Sequence, residues 1–551
     1  MGIPLFCLEI LFGQFASRGP INIWEINLLF KGLGITLVIL SAVVSIYYNI
    51  VVATAIYFMF ASMQDPLPWE TCGNEWNTCN CRTFDMNTTL PDPLMWYNKS
   101  GLDCILQITS FCCTMFISCM PSNTSCSNSV LEITDGIQTP GMVKWDITLC
   151  NLLAWIVICL ALISGVKSMG KAGYFTALMP YVLLTILVVR GVTLKGASKG
   201  LDFYLNPDVS KLRDSKVWKQ AAAQIFFSLS CCTGSLTAMS SYNKFNNNFI
   251  SDSIVIPIIN CMSSFFAGFA IFSVLGFMSY NTGISVDNVT TTGPGLTFVA
   301  YPEALAQMPV PQLWSVLFFF MVACLGMGTQ FPSVETVLTG IQDEYPTLIK
   351  GRKRLVFRIG TCVLGFLLGI PQTTQGGFYL LEWCDIFIGW PLLLVGFFQV
   401  LAIVWIYGVK RFSEDVYLMI GQNSIAGIIF RSYFLWAITG AIPLLLLVIL
   451  AYDIYDYTPI TGPAYPEWSE ALGWIFVFFI MVWVPAWYVG KLFLIYRHRK
   501  TSDSFWTILK KANQPTAKWG PRDPKNRTIP RYQLPRDEAE LELRPDNSYD
   551  A

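Results

Sequence analysis

Long apolar stretches follow one another along the chain, with polar residues concentrated in the segments between them. Eleven stretches approach the roughly 20 residues that an α-helix needs to cross the hydrocarbon core of a bilayer. They lie near residues 2–17, 34–62, 146–166, 172–192, 221–242, 253–280, 313–340, 355–371, 384–408, 432–452 and 470–496. The pattern predicts an all-α, multi-pass membrane protein with about eleven transmembrane helices.

The first apolar stretch is short and contains Glu9. A cleaved signal peptide is the alternative interpretation of such a segment. No basic residues precede its apolar part, and Arg18 follows it. We therefore interpret this stretch as a membrane helix.

The composition agrees with a membrane protein and excludes several other classes. Of the 551 residues, 54% are hydrophobic and 13% are charged, whereas soluble domains carry about 25% charged residues. The net charge is zero, which gives no reason to expect nucleic acid as a partner. The only histidine is His498, so histidine-based metal sites and Ser-His-Asp triads are almost excluded. The Walker, HExxH and GxSxG motifs are also absent from the sequence, which favours ion-coupled transport over catalysis or ATP-driven transport.

Charges in the loops predict the orientation, because Lys and Arg accumulate on the cytoplasmic side of a membrane. One alternating set of loops is rich in both residues, for example at 350–354 and 497–500. The loops around 281–312, 372–383 and 453–469 contain neither, and the loop near 193–219 is an exception. We predict a transmembrane transporter domain over 1–500 and a cytoplasmic C-terminal tail over 501–551. The tail is polar and Pro-rich, so we expect it to be mostly disordered.

The long loop at about 63–145 is predicted to be extracellular. It contains a group of eight cysteines between 72 and 126, and disulfides are permitted in that compartment. N-glycosylation motifs begin at Asn87, Asn98 and Asn123 in this loop, and at Asn288 in a later loop on the same side. We predict glycosylation at these four asparagines.

Polar and small residues occur together at mid-membrane depth in three stretches. Residues 228–235 combine hydroxyls with small side chains, residues 325–330 combine a hydroxyl, an amide and two glycines, and Asn260 and Ser264 share one helix face. Broken helices at this depth bind substrates and ions through backbone carbonyls and helix ends. The alternatives are packing of small residues between helices and ordinary interhelical hydrogen bonds.

Two carboxylates are further candidates, because an ionisable group at membrane depth usually has a function. Glu9 lies inside an apolar stretch, and Asp385 lies at the mouth of a predicted helix. For Asp385, a solvated interfacial position is the alternative.

Over nearly its whole length the chain resembles the sodium- and chloride-dependent neurotransmitter symporters. The matching stretches are 2–14, Tyr47-Tyr48-Asn49, Pro66-Leu67-Pro68-Trp69, 224–229 and 241–247. Within that family the chain is most similar to the glycine transporters, through 293–296, 298–305, 325–331 and Trp519-Gly520-Pro521. The resemblance implies the LeuT-type fold, with two inverted repeats of five helices, two further helices, and binding sites at broken helices.

The resemblance also implies roles for individual residues. Sodium ligands are expected at Ser228 and Asn260 for a first ion, and at Leu325, Gly328 and Thr329 for a second. Chloride ligands are expected at Gln224, Ser228, Asn260 and Ser264. Substrate contacts are expected at Val44, Tyr48, Phe227, Ser230 and Thr233. Gate residues are expected at Asp385 on the outer side and at Tyr242 and Asp343 on the inner side, and an extracellular disulfide is expected between Cys72 and Cys81.

The chain departs from the glycine transporters at two points. Thr233 stands where those carriers have a bulky Trp, and the smaller side chain leaves room for a substrate larger than glycine. The resemblance also begins at the second membrane helix of the family. We therefore expect the first helix, and with it part of both sodium sites and the gate arginines, to be missing. The ion sites would then be half-shells, and the gate acids Asp385 and Asp343 would lack partners.

These observations predict a secondary active transporter of the plasma membrane. It would couple Na⁺ and Cl⁻ to the symport of glycine or a related small neutral amino acid. Its partners would be the lipid bilayer and the amino-acid substrate, with homo-oligomers left open. Two alternatives remain: a shortened, non-transporting isoform that regulates full-length carriers by pairing with them, and a carrier for a larger neutral amino acid.

Overall fold

The computed structural model describes residues 2–70, 132–283, 285–286, 296–460, 462, 464–497, 505–516, 518–529 and 532. The described part of the chain is built from helices. In chain order they are α1 (Gly2–Ala16), α2 (Lys31–Ala61), α3 (Trp145–Leu162), α4 (Val166–Val192), α5 (Ala197–Leu205), α6 (Ser215–Ser228), α7 (Ser235–Ser240), α8 (Phe249–Thr282), α9 (Tyr301–Ala306), α10 (Pro311–Glu344), α11 (Arg352–Gly369), α12 (Gly377–Val400), α13 (Val409–Ile420), α14 (Ile425–Ile429), α15 (Ile442–Tyr455), α16 (Glu467–Met481), α17 (Trp483–Arg497) and α18 (Phe505–Ala512).

Eight helical segments in the described ranges are long and apolar enough to cross a membrane. A ninth forms if α16 and α17, which meet at a 42° bend, are counted as one span. The two remaining stretches of the eleven differ for physical reasons. The stretch near 2–17 forms a helix of 15 residues, shorter than a bilayer requires, and the stretch near 221–242 is divided between α6 and α7.

The interruption between α6 and α7 covers residues 229–234 and matches the predicted broken helix. Three residues in it have left-handed backbone conformations, with φ of 52° at Ser230, 63° at Cys232 and 82° at Gly234. Glycine reaches this region without a steric penalty, whereas other residues do so at a cost. A helix cannot continue through such residues, and the backbone groups that it releases need other partners.

Helix α2 lies at the centre of the bundle and belongs to both large hydrophobic clusters. One cluster joins α2 to α1, α12 and α16, and the other joins it to α3, α8 and α10. Close approach to α10 depends on Gly326, because a Cβ there would lie 2.5 Å from the Val52 side chain. The two clusters thus share a central helix that also carries Val44, Tyr47 and Tyr48.

Part of the C-terminal tail packs against the bundle. Helix α18 is followed by a segment in which Trp519 and Tyr532 are buried against the first hydrophobic cluster. A polar and Pro-rich composition limits the apolar area that a segment can bury. Two large aromatic side chains nevertheless attach this segment to the bundle, because each aromatic ring buries a large apolar area.

Candidate functional site

Hydrogen bonds from other helices hold the interruption at 229–234 in place. The Cys232 amide donates to Glu9 Oε1 of α1 at 2.8 Å, and the Ser41 hydroxyl of α2 donates to the Thr233 carbonyl at 2.6 Å. The Thr233 hydroxyl donates to the Ser230 carbonyl at 2.8 Å. Backbone groups that the broken helix releases are therefore bound by side chains of two neighbouring helices, as the bilayer interior requires.

Glu9 is the buried carboxylate of this region, with 2% of its surface exposed. Its Oε1 accepts the Cys232 amide, its Oε2 has no hydrogen-bond partner among the described residues, and Gln399 of α12 lies beside it. Sequence reasoning singled out Glu9 for its depth but assigned it no role. The structure gives it one, because it is an acceptor for the broken helix.

The expected substrate-contact residues fall into two groups. Ser230 and Thr233 lie in the interruption, and Phe227 lies in the last turn of α6. Thr233 is tied to Ser41, which precedes Val44 by one helix turn on α2. Tyr48, one turn further along α2, faces Thr329 of α10 and lines a separate cavity.

This cavity has a volume of about 830 Å³ and lies among α2, α4, α8 and α10. Four residues expected to bind ions line it, in addition to Tyr48: Asn260, Ser264, Leu325 and Gly328. The structure thus brings together residues from three distant parts of the sequence. Val44, Phe227, Ser230 and Thr233 are not among the residues that line this cavity.

Asn260 links the cavity to the broken helix. Its Nδ2 donates to Ser228 Oγ of α6 at 2.6 Å, and its backbone carbonyl accepts the Ser264 hydroxyl at 3.1 Å. An amide and a hydroxyl offer oxygens to a cation and N–H or O–H groups to an anion. The pair therefore has the chemistry that both Na⁺ and Cl⁻ require. Gln224, the fourth expected chloride ligand, lies one turn before Ser228 on α6.

The expected outer-gate acid, Asp385, has a partner. Its Oδ1 accepts the Tyr47 hydroxyl of α2 at 3.1 Å. The expectation that this acid would lack a partner was wrong, because a neighbouring hydroxyl donates to it.

The two expected inner-gate residues lie near one end of α10. The Tyr242 hydroxyl is 2.9 Å from the Thr339 hydroxyl. Thr339 lies one helix turn before Asp343 on α10. Asp343 Oδ2 accepts the Gly19 amide at 2.7 Å, and its carbonyl accepts Asn22 Nδ2 at 2.6 Å. The expectation that Asp343 would lack partners was therefore also wrong, because the turn after α1 supplies donors to it.

Sequence reasoning missed a buried ion pair beside these two residues. Arg358 of α11 contacts both carboxylate oxygens of Glu335 on α10, at 3.1 and 3.2 Å, and it also donates to the Leu162 carbonyl. Glu335 additionally faces Tyr242. The signal was available, because one acid and one base each lay inside a predicted membrane stretch, where charged side chains are expected to pair.

Six further residues with predicted roles lie outside the described part of the chain, and their roles remain predictions. They are the disulfide cysteines Cys72 and Cys81 and the glycosylation sites Asn87, Asn98, Asn123 and Asn288.

Comparison with known proteins agrees with these features. Residues 1–495 match the sodium:neurotransmitter symporter family. The sodium- and chloride-dependent neutral and basic amino acid transporter B(0+) of Mus musculus is 41% identical over 549 residues, which cover 96% of this chain and 82% of the mouse protein.

Two glycine transporters of Xenopus laevis are also similar. Sodium- and chloride-dependent glycine transporter 1 is 39% identical over 530 residues, covering 96% of this chain and 81% of that protein. Sodium- and chloride-dependent glycine transporter 2 is 38% identical over 539 residues, covering 94% of this chain and 66% of that protein.

Proposed function

The chain belongs to the sodium:neurotransmitter symporter family, and from this premise we propose that it couples Na⁺ and Cl⁻ to the symport of glycine or a related small neutral amino acid. The relatives at 38–41% identity carry glycine or neutral and basic amino acids by their names. The observation that best supports the proposal is the bond between Asn260 and Ser228, which joins the broken helix to the polar wall of the cavity.

The proposed ion ligands divide between the two sides of the cavity. Ser228 and Asn260 would bind the first sodium ion, and Gln224 and Ser264 would join them around chloride. Leu325, Gly328 and Thr329 of α10 would bind the second sodium ion, with Gly328 contributing its carbonyl. Neutral oxygens and N–H groups suit this task, because they bind ions without fixing a charge in the membrane.

The substrate would lie against α2 and the interruption. Tyr48 would donate to its carboxylate, while Val44, Phe227, Ser230 and Thr233 would surround the remainder. Asp385, Tyr242 and Asp343 would close the two sides in alternation. We propose a plasma-membrane location with the α18 tail in the cytoplasm.

Radiolabelled glycine uptake into oocytes that express the chain tests the function. We expect uptake that is lost when choline replaces Na⁺ and is strongly reduced when gluconate replaces Cl⁻. Surface biotinylation measures how much protein reaches the membrane. Surface protein without ion-dependent uptake of glycine or other amino acids would contradict the proposal.

Ser228→Ala and Asn260→Ala test the ion ligands. Each should abolish sodium-dependent uptake, because each removes a side-chain ligand. Cys261→Ala is a matched control, since Cys261 neighbours Asn260 but is exposed and has no proposed role. Unchanged sodium dependence in both alanine variants would contradict the site assignment.

Thr233→Trp separates glycine from a larger neutral substrate, the second candidate. The indole fills the space beside the interruption, so competition by larger amino acids should weaken while glycine still competes. Equal competition before and after the substitution would contradict the assignment of Thr233 to the pocket.

A further inference from the structure

A cluster of buried polar and aromatic side chains attaches the tail to the bundle. Tyr407, just before α13, and Asp415, in the middle of α13, meet Trp519 and Tyr532 of the tail, and we call these four residues the tail clasp. All four are at most 5% exposed. Two elements more than 100 residues apart in sequence therefore share one buried polar centre.

The geometry of the clasp centres on Asp415. Tyr407 donates to Asp415 Oδ2 and Tyr532 donates to Oδ1, each at 2.6 Å. The two hydroxyls lie 2.9 Å apart, and Trp519 Nε1 donates to the Tyr407 hydroxyl at 3.2 Å. The hydrogen bonds to the carboxylate are short, and the one from Tyr532 joins the tail to α13 at a buried position.

Both hydroxyls act as donors over the physiological pH range. Burial, and then the charge of Asp415, raise the pKa of Tyr407 and the pKa of Tyr532 above their ordinary values. Both tyrosines therefore keep the protons with which they donate to Asp415.

The tail also packs on the end of α1 and on the turn that follows it. Trp519 contacts the rings of Phe12 and Phe15, with centroids 5.8 and 5.6 Å away. Arg18 donates to the Lys518 carbonyl at 2.9 Å, and the Thr516 amide donates to the Glu25 carbonyl at 3.0 Å. The segment 18–27 is thus covered by the tail on one side.

On its other side, the same segment holds Asp343. Gly19 and Asn22 supply the two hydrogen bonds to this residue. Arg522 of the tail is close enough to interact with the Asp343 carboxylate electrostatically, as is Arg18. The gate acid therefore contacts a segment that cannot move away from it without also disturbing the tail.

We propose that the tail clasp stabilises the closed arrangement around Asp343, and that Asp415 and Tyr532 are positioning residues that act through the segment 18–27. The proposal rests on the proposed function for its transport readout. When the clasp is weakened, the equilibrium shifts towards the arrangement that is open on the Asp343 side. Fewer carriers then face external sodium, so the apparent affinity for external sodium falls.

Tyr532→Phe and Asp415→Asn weaken the clasp without removing its bulk. We expect the external Na⁺ concentration for half-maximal uptake to rise about three- to tenfold, the range that corresponds to one lost hydrogen bond. Trp506→Phe is the matched control, because Trp506 belongs to the tail helix α18 but is 74% exposed. A loss of maximal uptake in Tyr532→Phe and Asp415→Asn with unchanged sodium dependence would indicate a purely structural role and would overturn the proposal.

Limited trypsin digestion of the detergent-solubilised protein tests the clasp independently of transport. Lys518, Arg522 and Lys525 lie in the clasped tail, so cleavage there requires release of the segment. The tail of Tyr532→Phe and of Asp415→Asn should be cut several-fold faster than that of the parent protein and of Trp506→Phe.

The two assays separate the proposals. Absent uptake by the parent protein, together with faster digestion of the two variants, would contradict the proposed function and support the clasp itself. Equal digestion of all four proteins would contradict the clasp, whatever the uptake.

Discussion

The protein buries one carboxylate, Glu9, at the broken helix and another, Glu335, beside Tyr242, and it satisfies them differently. Glu9 accepts a backbone amide from the interruption and has no charged partner among the described residues. Glu335 is paired with Arg358 through two contacts. Glu9 therefore binds the backbone of the interruption, whereas Glu335 binds a side chain of the neighbouring helix α11.

This difference has mechanical consequences. The single hydrogen bond from the Cys232 amide to Glu9 can break and form again at a modest cost. A buried ion pair is costly to separate, because each partner would be left as an unpaired charge. We therefore expect the ion pair to fix α10 against α11 while the interruption remains adaptable.

The largest effect is expected from breaking the ion pair on one side only. Arg358→Met leaves Glu335 buried without its cation and should destabilise the protein by about 3–5 kcal/mol. The measurement is the thermal unfolding midpoint of detergent-solubilised protein, followed by size-exclusion chromatography.

The matched control is the double variant Glu335→Leu with Arg358→Met. Replacement of both charges by apolar side chains is often close to neutral, so this variant should melt much nearer the parent protein. Equal melting of the single and double variants would show that Glu335 is stabilised by other groups.

A smaller effect is expected at the broken helix. Glu9→Ala removes the acceptor of the Cys232 amide, and an unsatisfied buried donor costs about 1–3 kcal/mol. Glu9→Gln retains an acceptor oxygen and should lose less. Maleimide labelling of Cys231 and Cys232, both at most 1% exposed, measures opening of the interruption and should be fastest in Glu9→Ala. Equal labelling in all three proteins would contradict the role of Glu9.

The bond between α2 and the interruption should contribute less again. Ser41→Ala removes the donor to the Thr233 carbonyl and should cost about 1 kcal/mol. Ser45→Ala is the control on the same helix, because the Ser45 hydroxyl donates only to the Ala42 carbonyl within α2. The thermal midpoint should fall further in Ser41→Ala than in Ser45→Ala. A larger fall in Ser45→Ala would show that contacts other than the Ser41 hydrogen bond hold the interruption in place.

The two regions also differ in how far the sequence predicts them. The interruption was one of two structures that the sequence allowed, because hydroxyls, small residues and Gly234 concentrate at one depth and the same composition also suits close packing between helices. The pair Glu335 and Arg358 was not identified, although both residues lay inside predicted stretches. Pairing depends on the relative rotation and depth of α10 and α11, which tertiary packing determines.

The contacts of the tail are likewise not predictable from its local sequence. Its composition predicts little burial, and nothing local links Tyr532 to Asp415, 117 residues earlier. The resemblance of the segment at Trp519 to the glycine transporters was visible in the sequence, but its contacts with Phe12 and Phe15 were not. Composition averages over a segment, whereas a few large side chains determine whether that segment packs.

The smallest effect on stability is expected from an exposed ion pair, which serves as the reference for the buried pair of Glu335 and Arg358. Glu132 contacts Lys144 at 2.5 Å and Gln375 at 2.6 Å, and these hydrogen bonds, that of Lys144 first, lower the pKa of Glu132. A carboxyl whose pKa is lowered on folding adds stability above its ordinary pKa and loses that contribution as the pH falls through the lowered value. Glu132→Gln should therefore lower the thermal midpoint slightly at pH 7, and the difference should disappear as the pH falls through the lowered pKa. Because the Glu132 side chain is 42% exposed, solvent and salt screening limit the contribution to about 0.2–1 kcal/mol, and 0.5 M NaCl should reduce it further. A Glu132→Gln effect as large as that of Arg358→Met would contradict the view that burial, rather than pairing alone, determines how strongly a charge fixes its neighbours.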